Sequence, residues 1–585
     1  MVSNYLTEDS KVKLESRRKN MLPLPILMFS GVLVLYFVLA LFRIGTQSLW
    51  NDEVLSLRSA RIGEPLFSSL VWRQYHGPLY FVLLHLWAKL GTSETIVRTL
   101  SVLSGAAALC FVYAIGLRLF DTRVALLTSV LVATSPFFVW YSQEVRYITL
   151  MIATAVLSMW ALWRALSSQS LVWWLFYAGS VALALFSFVT CLFFVFAHGA
   201  FLASSRSYRP LLLKWIFVQI PFFALFVWWA GHTHYAHAIV DQGDDHQQSV
   251  SLDLKRLSSG GRKELSPAVV PYTFFALSTG FSVGPSLEEL HVSPTLASLG
   301  PYVTQIAVIG IIFGGLFICG VSSLWGRPQV GKFLGFSLAV PILGTLLVAT
   351  LTSMTYNVRY VAMVFPVFCL VLAAGINGLR KRSAQIALLM IILLANGYSL
   401  ANYYFNRRYA REDARSAAQY LTSTAGAKDA ILVVGSQNSL RYYYKGNCPI
   451  LFWGQDVIAD RPAITKLLSD LRPRYERVWF LTIRPWEKDP KGKLKALLDW
   501  AYPLVQEKQF AGIGVYCYKL NSSQLRTSSL SGSTWILQSL SNYFVPEEQL
   551  VLNDGSLKYP CATVLFVRDS RRMLSLTERR NQRPD

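Results

Sequence analysis

The apolar residues of this chain fall in long blocks separated by short polar connections. The blocks run over Met21–Phe42, Ile96–Leu117, Val124–Tyr141, Ile148–Trp163, Leu171–Ser187, Phe188–Ala203, Leu211–Ala230, Tyr302–Leu324, Phe333–Leu351, Tyr360–Leu379 and Ile386–Tyr404. Crossing a hydrocarbon core of about 30 Å takes about 20 apolar residues in a helix. The pattern therefore predicts a polytopic α-helical membrane protein with about 11 transmembrane helices. The run Leu171–Ala203 is divided into a tight hairpin, because one helix of that length would overshoot the bilayer. A further apolar segment, opened by His76-Gly77-Pro78-Leu79-Tyr80 and closed by Gly91, is too short to span. At about 13 residues it would reach roughly 20 Å, so it should lie in the interface or re-enter.

After Asn406 the pattern changes. Ala430–Gly435, Val478–Thr482 and Gly512–Leu520 read as strands, and Arg411–Thr422, Ala463–Leu471 and Leu494–Ala501 as helices. The alternation predicts a small external α/β C-terminal domain over residues 406–520. Residues 521–585 are Ser-rich and then basic, and show no clear element. The organisation expected is a cytoplasmic N-terminal segment 1–20, a transmembrane domain 21–405, the α/β domain and a tail 521–585. The transmembrane domain carries external loops at 43–95 and 232–300.

Orientation follows from where the cations fall. With the N-terminus inside, the connections Arg118–Arg123, Arg164–Ser170, Ser204–Pro210, Gly326–Lys332 and Arg380–Arg382 are cytoplasmic, and each carries Arg or Lys near a span end. Met21–Phe42 is long, with no small-residue cleavage site, and reads as an uncleaved first span. The expected location is the plasma (inner) membrane, multi-pass, with the N-terminus cytoplasmic and the C-terminal domain on the external, periplasmic face.

Composition agrees. Of 585 residues 53% are hydrophobic and 15% charged, where soluble domains carry about 25%. The net charge of +22 is scattered over the connections with no basic aromatic stripe, which argues against nucleic acid as a partner and for membrane lipids. Seventeen tryptophans suit two interfacial belts. The seven cysteines have no zinc spacing; a Cys448–Cys517 disulfide would need an external location.

Three polar constellations stand out, all on the external side. Asp52 and Glu53 follow Trp50 in the first loop. They could simply fill the first turn of a helix capped by Asn51. Neighbours on a helix point about 100° apart, so one acid could be catalytic and the other structural. Ser142-Gln143-Glu144-Val145-Arg146-Tyr147 must turn the chain between two spans in very few residues. Asn357-Val358-Arg359-Tyr360 opens a late span. Arg146 and Arg359 lie on the face that the charge rule depletes. A bound anion would explain both, as would snorkelling to headgroups.

Together these motifs, with Glu94 and Arg98 opening the second span, resemble the integral-membrane, polyprenyl-phosphate-sugar-dependent glycosyltransferases of the GT-C type. The family 39/83 group, with protein O-mannosyltransferase-like and lipid A aminoarabinose transferase-like enzymes, is the nearest likeness. It covers about residues 22–405; Gly77 departs from the commoner His-Pro-Pro. The resemblance implies a donor sugar on a polyprenyl phosphate and a lipid, glycan or protein acceptor. Asp52, paired with Glu53, would be the catalytic base of an inverting transfer. Arg359, Arg146, Tyr147 and Tyr360 would hold the donor phosphate, and His76, Gln143 and Glu144 would contact substrate. Family members differ in metal use; no metal ligands are assigned and no cofactor is certain, a divalent metal remaining compatible. The competing class is a transporter or lipid flippase, which would carry ionisable residues at mid-span and an internal repeat. The charges here sit at span ends.

Overall fold

A computed structural model describes residues 23–63, 65–66, 77–232, 268–292, 296–352, 356–452, 471–487, 489 and 491–520. In the membrane part the helices are α1 Pro23–Leu41, α2 Asn51–Ser59, α3 Pro78–Trp87, α4 Glu94–Leu119, α5 Thr122–Thr134, α6 Pro136–Ser142, α7 Ile148–Ser168, α8 Leu171–Ser187, α9 Cys191–Ser204, α10 Leu212–His232, α11 Val269–Thr279, α12 Leu287–Val292, α13 Val303–Ser323, α14 Pro328–Leu351, α15 Phe365–Gly378 and α16 Arg382–Phe405. Among the described residues eight helices are long and apolar enough to cross a membrane, and nine if the bent pair α5–α6 is one span. The expected block Val124–Tyr141 is this pair, bent by 59° at Ser135-Pro136. Pro136 brings no N–H and its ring cannot follow Ser135 into a helix, so the chain turns there.

The expected hairpin in Leu171–Ala203 is present as α8 and α9, broken at Phe188–Thr190. At about 25 and 21 Å they are short for spans. Both nevertheless run between the same two faces. At one face Thr190 Oγ1 donates to the Tyr360 carbonyl (2.6 Å); at the other Lys332 Nζ donates to the Ser204 carbonyl (3.2 Å). That second face gathers the basic connections. Lys214 Nζ reaches the Gln169 carbonyl (2.9 Å), Arg327 Nη1 the Leu119 carbonyl (3.2 Å), and Arg118 contacts Ser167. Asp52, Glu53, Glu144, Arg146 and Arg359 lie at the opposite ends of the same helices.

The short apolar segment is α3, prolonged by a 3-10 turn over Ala88–Leu90. It packs against α2, where His85 Nδ1 lies 2.9 Å from the Ala60 carbonyl. Gly77 opens it without needing an unusual φ. A Cβ there would fall inside the backbone of Phe186 and Ser187 at the end of α8, so the glycine permits that close approach.

The later segment adds α17 Ala414–Thr424, β1 Asp429–Gly435, α18 Asn438–Tyr443, β2 Ile450–Phe452, β3 Arg477–Ile483, β4 Leu504–Phe510 and β5 Ile513–Lys519. The sheet order is β2-β1-β3-β5-β4, with β1 parallel to β2 and β3, and β5 antiparallel to β3 and β4. Ile431, Val433, Trp479, Leu481, Val515 and Cys517 pack against Ala414, Ala417, Ala418 and Leu421 of α17. Cys448 and Cys517 are buried free thiols, not a disulfide. Strand β4 has no buried face, which is why alternation did not reveal it. A separate compact unit contains α19, Lys493–Ala501, which buries Leu494, Leu497 and Leu498. The expected helix Ala463–Leu471 lies outside the described residues except for its last.

Candidate active site

Helix α2 starts at Asn51 with Trp50 as its N-cap, so Asn51 is not the cap that a capping role for this turn would require. Its side chain instead accepts from Asn438 Nδ2 of α18 (2.8 Å). The capping contact falls to Glu53, whose Oε2 accepts from the Trp50 N–H (3.2 Å).

The two acids face different partners. Glu53 is fully buried and grips Arg98 in a fork, Arg98 Nε to Oε1 at 2.8 Å and Nη2 to Oε2 at 2.7 Å. The Val145 N–H also donates to Oε1 (3.0 Å), and Arg411 Nη1 lies 3.5 Å from Oε2. Arg98 uses its other donors on the carbonyls of Ile44, Gln47 and Ser48. Glu53 thus ties the first loop, α4 and the turn after α6 into one rigid knot. Burial works to raise its carboxyl, but the charges of Arg98 and Arg411 and the hydrogen bonds from Arg98 and the Val145 N–H hold it below the usual range.

Asp52 points to the arginines instead. Its Oδ2 lies 2.8 Å from Arg359 Nη1 and 3.5 Å from Arg146 Nη2. Arg146 Nη1 also reaches the Asp52 carbonyl (3.4 Å). Burial pushes the Asp52 carboxyl up, and Arg146, Arg359 and the more distant Arg484 pull it down to about 2. Each guanidinium rests on the ring of the tyrosine that follows it, Arg146 on Tyr147 at 5.3 Å and Arg359 on Tyr360 at 5.4 Å. Phe188, at the α8–α9 break, is stacked between the two rings at 4.5 and 5.7 Å. Two Arg-Tyr dipeptides, far apart in sequence, are thereby placed side by side.

Gln143 and Glu144 face inward. Gln143 Nε2 donates to the carbonyls of Ala40 and Phe42 (2.9 and 2.8 Å), and its Oε1 accepts from Tyr403 (2.9 Å). Glu144 Oε1 accepts from Trp140 (2.8 Å) and from Arg411 Nη2 (2.9 Å). Burial pushes its carboxyl up, against Arg411, and the nearby Glu53 adds to this. His76 lies outside the described residues.

Four contributors escape a reading of the sequence. Arg411, just past the last span, inserts between Glu53 and Glu144 and lies over Trp140 at 4.8 Å. Arg484, after β3, bridges to Glu412 and lies over Trp50 at 5.0 Å. Asn438 donates to Asn51 and accepts from Arg58 (2.6 Å). Phe188 completes the aromatic stack. The Arg-Tyr dipeptide occurs five times in the chain, so the pairs at 146 and 359 did not by themselves point to what lies between them.

Among the described residues no three His, Cys, Asp or Glu side chains converge as a metal site would require. The groups around Asp52 are cationic donors, which suit an anion. What they offer chemically is a buried carboxylate beside two forked cations at one end of the helix bundle.

The helical architecture shares its fold with a solved membrane glycosyltransferase, in keeping with the resemblance drawn from the motifs. A sequence model of the family described as dolichyl-phosphate-mannose-protein mannosyltransferase matches residues 75–230. In fold the chain is similar to ArnT from Cupriavidus metallidurans in the apo state, with a TM-score of 0.50 and 11% identity over 86% of this chain and 99% of that one. The same protein bound to undecaprenyl phosphate gives 0.49 and 12% over the same shares. The archaeal oligosaccharyltransferase AglB from Archaeoglobus fulgidus, in complex with an inhibitory peptide and a dolichol-phosphate, gives 0.49 and 12% over 86% of this chain and 75% of that one. No curated protein matches the chain.

Proposed function

We propose that this membrane protein transfers a sugar from a polyprenyl-phosphate-linked donor to an acceptor hydroxyl, with inversion at the anomeric carbon. The observation that carries the reading is the convergence of Arg146 and Arg359, from separate spans, on the single carboxylate Asp52. A phosphate leaves readily if cations hold the charge it gains, and forked guanidinium groups suit that task. The acceptor needs a base within hydrogen-bond reach, and Asp52 fills that role. A retaining double displacement would need a second carboxylate about 5 Å away across the sugar. Glu53 and Glu144, the other buried acids here, are held by Arg98 and Arg411. Glu53, Gln143 and Glu144 act as positioning residues. Tyr147 and Tyr360 carry the arginines. The family match supports a lipid-phosphate donor; the acceptor is a lipid, glycan or protein.

The basic face belongs in the cytoplasm by the charge rule, which puts the site and residues 406–520 on the external side. Reporter fusions after Arg382 and after Arg415 should read opposite sides; a common side would remove this topology.

Asp52→Asn tests the base. It should leave a folded protein that transfers labelled sugar from a polyprenyl phosphate donor 10²–10⁴-fold more slowly, about the worth of a positioned base. Normal turnover would remove Asp52 from the chemistry.

A further inference from the structure

Asp52 and a donor phosphate would ask for the same two cations. In the structure Asp52 Oδ2 takes Arg359 at 2.8 Å and Arg146 at 3.5 Å. Glu53 and Glu144 draw on a different set, Arg98 and Arg411. The pair around Asp52 is therefore separable from the knot that holds the fold.

The charge balance of the reaction makes this arrangement informative. A sugar linked through polyprenyl phosphate is a phosphodiester with a single negative charge. Polyprenyl phosphate itself is a monoester and carries nearly two at pH 7. In the transfer the acceptor oxygen bonds to the anomeric carbon, and its proton passes to Asp52. The bond from that carbon to the phosphate oxygen breaks, with its electron pair left on the phosphate. One negative charge disappears at Asp52 and one appears at the phosphate, while both arginines stay positive.

We propose that Asp52 and the donor phosphate compete for Arg359 and Arg146, and that the two arginines pass from the base to the phosphate as the donor binds. The proposal rests on the donor reading given above. It accounts for a base that sits in an ion pair with the groups meant for the phosphate. With both arginines on Asp52, its carboxylate is held at about 2 and is a poor proton acceptor. A phosphate that draws them off restores its basicity, so the base is strong only when a donor is in place. Arg484 adds to the field on Asp52 but is held by Glu412 and Trp50, and is not part of the exchange. The aromatic stack Tyr147–Phe188–Tyr360 gives the two guanidinium groups a common floor.

The consequence is a reversal of the usual expectation for an active-site variant. If Asp52 merely positions Arg359, removing its charge should weaken phosphate binding. If it competes, removing its charge should strengthen it. Binding of farnesyl phosphate in detergent is measured by calorimetry for the wild type, Asp52→Asn, Asp52→Ser, Arg359→Ala and the Asp52→Asn, Arg359→Ala double variant. Inorganic phosphate is a second arm, and gel filtration confirms folding. Both Asp52 variants should bind farnesyl phosphate at least tenfold more tightly than the wild type. In the Arg359→Ala background the gain should fall below threefold. Equal or weaker binding by both folded Asp52 variants overturns the exchange. Absence of binding in every variant, or equal binding of inorganic phosphate, would overturn the donor reading instead.

Discussion

Replacing Glu53 by Gln separates it sharply from its neighbour. The carboxylate oxygens of Glu53 accept from Arg98 Nε and Val145 N on one side and from Arg98 Nη2 and Trp50 N on the other. A glutamine amide can be placed in two ways. One sets its NH2 against Arg98 Nε and Val145 N, the other against Arg98 Nη2, Trp50 N and Arg411. Either way donors face a donor, Arg98 loses its anion and Arg411 keeps only Glu144. Breaking a buried pair by removing one charge costs about 3–5 kcal/mol, a large part of a total stability on the order of 5–15 kcal/mol. Arg98 also holds the carbonyls of Ile44, Gln47 and Ser48, so the loop that leads into α2 should come loose with it. Fluorescence-detected gel filtration of detergent-solubilised protein after graded heating should show Glu53→Gln with a much lower midpoint and poor folded yield. The folded fraction should keep transfer within a few-fold of wild type per molecule. A variant that stays as stable as wild type but has lost turnover would refute this reasoning and make Glu53 the base.

Gly77→Ala should also lower thermal stability, because its Cβ would meet the backbone of Phe186 and Ser187, which cannot move aside as a side chain could; an unchanged melting midpoint would count against that packing. Asp52, with its carboxyl lowered from 3.8 to about 2 by burial-opposing arginines, adds stability that is present above the usual carboxylate range and is lost as pH falls towards 2. The stability difference between wild type and Asp52→Asn, measured in detergent from pH 6 to pH 2, should therefore shrink over the lowest two units; a difference independent of pH would show that the ion pair does not contribute.

Much was determined by the sequence alone. Apolar block length set the helical membrane class, since only a helix satisfies its backbone within hydrocarbon. The scatter of Arg and Lys anticipated the face on which the structure gathers them. The motifs marked Asp52, Arg146 and Arg359, and the 100° between adjacent helical residues anticipated that Asp52 and Glu53 would part ways. Tertiary structure decided the rest. Asp52 and Arg359 are 307 residues apart, and no local pattern pairs them. Gln143 and Glu144 stand in the sequence as part of a short polar turn, but burial drives each polar atom to a partner, and theirs lie inside the protein. Arg411, Arg484 and Asn438 lie beyond the last span and enter the site only because the chain folds back onto α2. The length of the apolar run placed a break at Phe188, since one helix would overshoot the bilayer, but gave that residue no role. It becomes the centre of a stack only when two distant Arg-Tyr pairs close on it, because stacking depends on positions in space and not on spacing along the chain.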